Sequence, residues 1–373
     1  MPGQTAFPRD NGGFVMRGFG VLAVVGACAL LAGCAENKDQ GSKGKGSPST
    51  SPSAASAVRI RATGSSFVER MMKKWSSSFE AQGARVDYQA TGSGKGVQDM
   101  LSGETDFGCT DAPLSADQIT KAGGADKVVQ VPLVMGAVVV VYNNPDLKNT
   151  LKLDGPTIAG IYLGTIKNWN DPAIAKLNEG TALPDKPISV CQRADGSGTS
   201  HIFTTYLSAV SPDWKSKVGA STQPAWPVGQ GGQKNAGVAS LVEQTPGSIG
   251  YVELSFALEK KNLKSATLQN AAGKFIEPTL ESVTSAAGAL KEIPDDLVVN
   301  LTNLPGDASY PICGTVWAVF KKDLKSDKLA AVVKALNWAL TDDGQKAAPA
   351  ENYARLPDAI ANKAKTILAA LGK

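Results

Sequence analysis

Four segments of the chain combine glycine with hydroxyl or charged residues at positions where a predicted strand ends and, in most cases, a helix begins. They are Gly64–Phe67, Gly92–Gly96, Cys109–Asp111 and Arg193–Thr199. The N-terminus of a helix presents unpaired N–H groups and the positive end of the helix dipole. Glycine lets the backbone approach a ligand closely, and serine or threonine adds a hydroxyl donor. Several such turns brought together would bind a dehydrated tetrahedral anion.

Each of these turns, taken alone, also has a purely structural explanation. A serine or threonine at a helix start most often only caps the helix. Glycine-rich turns are usually structural in α/β folds, and Asp111 alone would suit an Asx turn. The segment Arg193–Thr199 is more specific, because it joins a guanidinium group to a Gly-Ser-Gly-Thr helix start.

The elements that would position these turns alternate between strands and helices. Phe67, Met71, Trp75 and Phe79 recur at every fourth position, which predicts an amphipathic helix. The alternating segment Ala84–Ala90 predicts a strand. Repeated strand–helix units predict an α/β fold with mostly parallel sheets flanked by helices on both faces. In such sheets the binding site lies at the carboxyl ends of the strands, where these turns occur.

Further elements complete this pattern in the middle and C-terminal parts of the chain. Apolar runs predict two buried strands, Val128–Val134 and Gly136–Tyr142, and a returning strand at Tyr310–Phe320. Ser115 and Gln118 have the spacing of a capping box and predict a helix start.

The N-terminal segment has the pattern of a secretion signal. Two arginines precede a short apolar run, Gly18–Ala32. This run is too short for a typical transmembrane span and ends in small residues. Leu31–Cys34 resembles the bacterial lipobox, so we expect residues 1–33 to be a lipoprotein signal peptide and Cys34 to carry the lipid. An ordinary cleaved signal that contains a cysteine is the alternative.

Residues 34–56 predict a flexible tether between the lipid and the folded part of the chain. The segment Glu36–Ser56 is rich in serine, glycine, proline and lysine and contains no aromatic residue. Such a composition cannot bury enough apolar surface to order itself. The remaining residues, 57–373, are sufficient for two domains of ordinary size.

The composition of the chain argues against several classes of function. Hydrophobic residues make up 42% of the chain and charged residues 19%, with a net charge of +4, which gives no support for binding to nucleic acid or to a membrane surface. The single histidine is His201, and no Cys or His pair has metal-ligand spacing, so we expect no metal and no cofactor. Cys109, Cys191 and Cys313 would remain after processing, and two of them could pair outside the cytoplasm.

Two catalytic interpretations fail on residue spacing. Gly94 and Lys95 suggest the phosphate-binding loop of an NTPase, but that pattern needs a glycine where Gln89 stands and a Ser or Thr where Gly96 stands. A serine hydrolase would need a nucleophile paired with a base, and His201 has no G-x-S-x-G elbow around it. We therefore expect a binding protein and not an enzyme.

Longer motifs give the chain a family resemblance. They are ATGSSF at Ala62–Phe67, YQATGSGKGV at Tyr88–Val97, DFGCTDAPLS at Asp106–Ser115, IYLGTIKNWNDPAIAKLN at Ile161–Asn178, QRADGSGTS at Gln192–Ser200 and PGSIGYVE at Pro246–Glu253. From about Val58 to Pro357 the chain resembles the phosphate-binding proteins of bacterial high-affinity phosphate ABC importers.

The resemblance implies a type II periplasmic-binding-protein fold, in which two lobes are joined by two crossing strands. The first lobe would comprise residues 57–142 and 311–373, and the second lobe residues 143–310. The crossings would then lie near Tyr142–Asn143 and Tyr310–Cys313.

The resemblance also implies a set of binding residues. From the first lobe, the Ser66 hydroxyl, the Phe67 backbone and Ser93 would donate to phosphate, and Asp111 would accept from it. From the second lobe, the donors would be Arg193, Ser197, Gly198 and Thr199, with Asp195 pairing with Arg193 and orienting it. The chain departs from the family at Ser66, where threonine is common, and at Cys109, where a small residue such as alanine is usual.

The function implied is capture of inorganic phosphate between the lobes and its delivery to the permease subunits of an ABC importer. We expect a monomer outside the cytoplasm, in the periplasm or on the outer face of the cell membrane, held to the membrane only by its lipid. Asp111 would favour phosphate, which keeps a proton at neutral pH, over fully ionised sulfate. The sequence leaves open a same-fold protein for another oxyanion, and a surface phosphate sensor or scavenger that feeds no transporter.

Overall fold

The computed structural model describes residues 57–371, in which strands and helices alternate along the chain. The strands are β1 (Val58–Gly64), β2 (Ala84–Ala90), β3 (Phe107–Thr110), β4 (Val128–Asn143), β5 (Lys152–Leu153), β6 (Ser189–Arg193), β7 (Gln230–Gly232), β8 (Ser248–Glu253), β9 (Lys264–Ser265), β10 (Thr267–Gln269), β11 (Phe275–Ile276) and β12 (Cys313–Lys321). The helices are α1 (Glu69–Ala81), α2 (Ser93–Ser102), α3 (Ala116–Lys121), α4 (Gly155–Leu163), α5 (Pro172–Leu177), α6 (Gly198–Val210), α7 (Pro212–Lys217), α8 (Lys234–Gln244), α9 (Leu254–Leu258), α10 (Leu280–Gly288), α11 (Ser326–Ala339), α12 (Asp342–Lys346) and α13 (Asp358–Leu371), with a short 3-10 helix at Pro349–Glu351.

Two groups of parallel strands form the centres of two lobes. The first lobe is built on the parallel strands β2-β1-β3, and the second on β8-β6-β7. Between them lie β12 and β4, which run antiparallel to each other. Strand β12 is also antiparallel to β3 of the first lobe, and β4 is antiparallel to β8 of the second. The predicted α/β class is confirmed, and the described sheet is mixed rather than mostly parallel, because these two long strands pass between the lobes.

Strand β4 belongs to both lobes. The sequence predicted two strands in this region, but the structure has one continuous strand, because Met135 between the two predicted segments pairs with Thr315 of β12. Pairing with β12 continues to Ala137, and from Val138 onward β4 pairs with β8. The change of partner lies slightly before the predicted crossing at Tyr142–Asn143. The division of the chain into residues 57–142 with 311–373 and 143–310 stays a prediction.

Helix α1 fixes the first turn of the candidate site against the core. Met71, Trp75 and Phe79 are buried along one face as the spacing predicted, while Phe67 is buried just before the helix begins. The indole Nε1 of Trp75 donates to the carbonyl of Gly344 at 2.8 Å, which ties α1 to the C-terminal part of the chain. The N-terminal end of α1 is therefore held in place next to the end of β1.

Local sequence signals mark helix ends at several positions. Ser115 and Gln118 form the predicted capping box of α3. Gly164 follows α4 in the left-handed conformation, where glycine has no steric penalty. Ser197 caps α6 by accepting from the N–H of Ser200 at 3.1 Å.

Residues 57–371 contain neither a disulfide bond nor a helix that could span a membrane. Cys109, Cys191 and Cys313 are buried and free, so no disulfide joins them. In the same part of the chain, every helix is too short or too polar to cross a membrane. The predicted signal peptide (1–33), Cys34 and the tether (34–56) lie outside the described residues.

Replacing Trp75 with alanine should lower the free energy of unfolding by about 3–5 kcal/mol, because a fully buried indole and its hydrogen bond are lost. Urea denaturation followed by circular dichroism measures this change. The matched control Lys74→Ala, on the exposed side of the same helix, should change stability by less than about 0.5 kcal/mol. Equal losses in the two variants would contradict the packing role of Trp75.

Candidate anion-binding site

Three predicted residues of the first lobe lie at one edge of its sheet. Ser66 follows β1, Ser93 begins α2, and Asp111 follows β3. Because β1, β2 and β3 are parallel neighbours, their carboxyl ends meet at the same edge. All three side chains are buried, and the Ser93 hydroxyl accepts from the backbone N–H of Asp111 at 3.4 Å.

The residues of the second lobe lie where β6 ends and α6 begins. The guanidinium of Arg193 is buried and makes two hydrogen bonds to Asp195, at 2.8 Å and 2.6 Å, as predicted. Burial alone would raise the pKa of Asp195, but the hydrogen bonds and positive charge of Arg193 hold that pKa below its ordinary value. Arg193 also donates to the Thr199 hydroxyl at 3.3 Å. The ion pair therefore fixes the direction of the guanidinium fork.

The two lobes meet directly around these residues. The Thr199 hydroxyl of the second lobe lies 3.5 Å from Oδ2 of Asp111 in the first lobe. The backbone N–H of Gly94 donates to the carbonyl of Gly196 at 2.9 Å. The turns that the sequence singled out separately are thus brought to one place. The structure is closed around that place.

Asp111 is a buried carboxyl at this meeting point. Burial raises the pKa of its carboxyl to about 7, against the opposing effects of the Ser65 hydroxyl, the Arg193 charge and the Thr199 hydroxyl. Its Oδ1 is buried and has no hydrogen-bond partner among the residues that the structure describes. A buried carboxyl with a free acceptor is suited to a ligand that brings its own proton.

Glycine is required on both sides of the closed cleft. A Cβ at Gly198 would lie 2.6 Å from the backbone N and Cβ of Asp111, and a Cβ at Gly92 would lie 2.5 Å from Asp195 Oδ2. These contacts cross from one lobe to the other. The sequence indicated glycine for close approach to a ligand, and the structure adds that glycine permits close approach of the two backbones.

The remaining predicted residues have additional local partners. The backbone N–H of Phe67 donates to the Ser65 hydroxyl at 2.9 Å, while the Phe67 carbonyl accepts from the Tyr353 hydroxyl at 2.5 Å. Ser197 lies beside the cleft as the cap of α6. Both residues are buried at the ends of the elements where the sequence placed them.

Sequence reasoning missed two buried residues of this site. Asn235 lies in the first turn of α8, and its side-chain amide reaches the Ser66 hydroxyl at 3.0 Å. The Tyr251 hydroxyl accepts from the backbone N–H of Arg193 at 3.2 Å. The sequence around Asn235 has the same pattern as the other turns of the site, since β7 ends on a glycine and a helix follows. This pattern could have indicated Asn235 as a site residue. Tyr251 lies within β8, and its sequence context gave no such signal.

His201 does not form a nucleophile–base pair with the neighbouring Ser200. His201 follows Ser200 in α6, but the Ser200 hydroxyl lies 2.7 Å from the Tyr251 hydroxyl instead. Burial lowers the pKa of His201. Within residues 57–371, no group of His, Cys, Asp and Glu side chains is arranged to hold a metal ion.

Comparison with known proteins gives the family of the chain. A family model described as the PBP superfamily domain matches residues 49–342. The phosphate-binding protein PstS of Xylella fastidiosa (strain 9a5c) is 39% identical over 349 residues, covering 91% of this chain and 94% of that protein. The phosphate-binding protein PstS of Pasteurella multocida (strain Pm70) is 41% identical over 311 residues, covering 82% and 89%. The chain belongs to the family of the phosphate-binding proteins PstS.

Solved structures similar to this PstS-family chain share its two-lobed fold. A phosphate-binding protein from Stenotrophomonas maltophilia matches 83% of this chain and 93% of its own, with a TM-score of 0.62 and 19% identity. An ABC-type phosphate transport receptor from Vibrio cholerae matches 80% of this chain and 100% of its own, with a TM-score of 0.54 and 17% identity.

Replacing Gly198 with alanine should prevent the lobes from closing, because the three atoms nearest to the new methyl group all belong to Asp111 of the opposite lobe. The second lobe itself should fold normally. We expect the parent protein to become more compact when phosphate is added, as measured by small-angle X-ray scattering, and the Gly198→Ala variant to show no such change.

The matched control for this substitution is Gly288→Ala, because a Cβ at Gly288 meets no atom within 4 Å. This variant should close like the parent protein. Normal compaction of Gly198→Ala would show that the lobes do not approach as closely as the structure has them.

Proposed function

We propose that this protein captures inorganic phosphate between its two lobes and delivers it to an ABC importer. The observation that carries the proposal is the buried carboxyl of Asp111, which faces hydroxyl and guanidinium donors of the opposite lobe. The names of the curated relatives, phosphate-binding protein PstS, support the same ligand. The proposed activity is binding and transfer, without a chemical step.

The number of protons that each anion carries determines whether Asp111 would accept phosphate or sulfate. At neutral pH phosphate keeps at least one proton, which it can donate to the free Oδ1 of Asp111, whereas sulfate has none. Sulfate would place two acceptors and two negative charges against each other in a buried site. An unpaired buried acceptor costs about 1–3 kcal/mol, and the repulsion adds to this cost. The ionised form of Asp111, which predominates above its pKa of about 7, would therefore exclude sulfate while accepting phosphate.

The remaining residues supply donors for the other phosphate oxygens. In the first lobe these are Ser66, Ser93 and the backbone of Phe67. In the second lobe they are Arg193, Ser197, Gly198 and Thr199, the last three at the start of α6, whose N–H groups and dipole favour an anion. Asp195 would act by orienting Arg193. Because Asp111 and Asp195 oppose the single positive charge of Arg193, the anion would be held mainly by N–H and O–H dipoles.

Capture would proceed by hinge closure. Strands β4 and β12 join the lobes, so bending there would separate the first-lobe turns from the second-lobe turns. An open cleft would admit hydrated phosphate, and closure would replace its water by the donors of both lobes. The contact between Gly94 and Gly196 would form only in the closed state.

Isothermal titration calorimetry on a fragment that begins after Cys34 tests the ligand. We expect heat with phosphate and none with sulfate. Asp111→Asn should gain sulfate binding, because its amide can donate to a fully ionised oxygen, and selectivity should fall by about 10- to 100-fold. No heat with phosphate, or equal heat with the two anions in the parent protein, would overturn the assignment.

The matched control for Asp111→Asn is Asp106→Asn. Asp106 is also a buried aspartate of the first lobe, but it accepts from the backbone N–H of Arg61 and from Lys328, not from the site. This control should keep the selectivity of the parent protein. Loss of selectivity in both variants would mean that the effect is one of general stability.

Delivery to an importer requires a position outside the cytoplasm, and the N-terminal pattern supports this. We infer that residues 1–33 are removed, that Cys34 carries a lipid, and that residues 34–56 tether a monomer near the permease subunits. The membrane would be contacted only through the lipid. The length of residues 34–56 would then set how far the folded part of the chain can move from the membrane to reach the permease.

Cys34→Ser should release the protein from the membrane, because serine cannot carry the thioether-linked lipid. Fractionation of cells followed by immunoblotting measures this release. Cys28→Ser, a substitution within the same predicted signal run, is the matched control and should leave the protein in the membrane fraction. Retention of Cys34→Ser with the membranes would contradict lipidation at this cysteine.

A further inference from the structure

Asn235 is fully buried and connects the two lobes through its side chain. Its Nδ2 lies 3.0 Å from the Ser66 hydroxyl of the first lobe and 3.2 Å from the Thr199 hydroxyl of the second. Its Oδ1 accepts from the backbone N–H of Glu253 at 3.0 Å. Asn235 thus contacts one proposed phosphate donor from each lobe, while it is not itself in the predicted set.

The contact with Glu253 determines which way the amide points. A backbone N–H is only a donor, so the atom of Asn235 that faces it must be the amide oxygen. The NH₂ group of Asn235 therefore faces the two hydroxyls. Because this group has no acceptor, the oxygen atoms of Ser66 and Thr199 must accept from it.

Both hydroxyl oxygens are supplied with two donors each. The Ser66 oxygen accepts from Nδ2 and, at 3.3 Å, from the backbone N–H of Asn235. The Thr199 oxygen accepts from Asn235 and, at 3.3 Å, from Arg193. With both lone pairs occupied, each hydroxyl has only its proton left to offer. The Thr199 proton points into the site, toward Oδ2 of Asp111 at 3.5 Å, a long contact that a closer anion oxygen would replace.

We propose that Asn235 is a positioning residue that makes Ser66 and Thr199 obligate hydrogen-bond donors to the bound anion. A hydroxyl can otherwise turn and present its lone pairs, which repel an anion. By occupying these lone pairs, Asn235 fixes the donor direction of Thr199 within its own lobe before the ligand arrives, and that of Ser66 when the lobes close over the ligand. The proposal rests on the proposed function, since it assumes that the ligand is the phosphate oxyanion.

The same amide helps to hold the closed state. One NH₂ group contacts hydroxyls of both lobes, so opening the cleft would remove its contact with Ser66. Loss of this amide should therefore speed the release of phosphate more than it slows phosphate association. Stopped-flow measurements of the two rates separate these effects.

The test begins with Asn235→Ala and Asn235→Asp, measured by phosphate calorimetry. Loss of the amide should weaken phosphate binding by about 10- to 100-fold, since two neutral hydrogen bonds lose their donor. The aspartate variant has nearly the same shape but only acceptors when ionised, so it should draw the hydroxyl protons away from the anion and bind more weakly still. Aspartate that binds phosphate as well as asparagine would overturn the proposal.

A double-mutant cycle with Ser66→Ala separates positioning from shape. If Asn235 acts through the hydroxyl, its removal should cost less in the Ser66→Ala background, because no hydroxyl remains at that position to orient. The Thr199→Val background should also reduce the cost. A loss of the same size in all backgrounds would mean that Asn235 only fills space, and the proposal would fail.

Asn178→Ala is the matched control. Asn178 is another buried asparagine of the second lobe, and its amide bonds to the backbone of Lys152 and Ile174 outside the site. This variant should lose stability but keep its phosphate affinity. If the parent protein bound no phosphate, the proposed function would fall. If the parent protein bound it and every Asn235 variant bound it equally well, only this inference would fall.

Discussion

The burial of one carboxyl between two lobes is the constraint on which the site depends. Asp111 lies at the end of a first-lobe strand, and the backbone of Gly198 in the second lobe packs directly against it. Such a group is costly to ionise without partners, which is why burial raises its pKa to about 7. A closed cleft around this carboxyl is most stable when a ligand brings both a proton for it and acceptors for the surrounding donors.

The charged groups around this carboxyl are also largely compensated within the protein. Arg193 is tied to Asp195 by two hydrogen bonds, so its positive charge is largely compensated before any ligand arrives. The positive end of α6 and a set of hydroxyl groups then supply the remaining attraction. A site of this kind needs no basic surface, which agrees with a net charge of only +4 for the whole chain.

In the proposed hinge closure, the long strand β4 would let the two halves of the site separate and meet again. It pairs with β12 up to Ala137 and with β8 from Val138, so one continuous strand carries both lobes. Small changes in its backbone would be amplified at the tips of the turns, where Gly94 meets Gly196. The glycines at this contact allow the final approach, and Asn235 adds a polar contact that exists only when the lobes are together.

The sequence alone determined the alternation of strands and helices, the buried face of α1, the helix caps and the turns that carry the site. These features depend on neighbouring residues, and their periodicity and turn chemistry are visible locally. The ion pair of Arg193 and Asp195 was predictable from the family motif in which both residues occur. The sequence did not show that β4 is one strand, because a long apolar stretch does not reveal where pairing changes.

Only the tertiary structure decided which distant residues meet. Asn235 contacts Ser66 across 169 positions of the chain, and Gly198 faces Asp111 in the other lobe. Such contacts depend on how the lobes close, and no local pattern encodes that geometry. The turns themselves were evident in the sequence. The contacts of Gly198 and Asn235 with residues of the opposite lobe were not, because they form only through the tertiary fold.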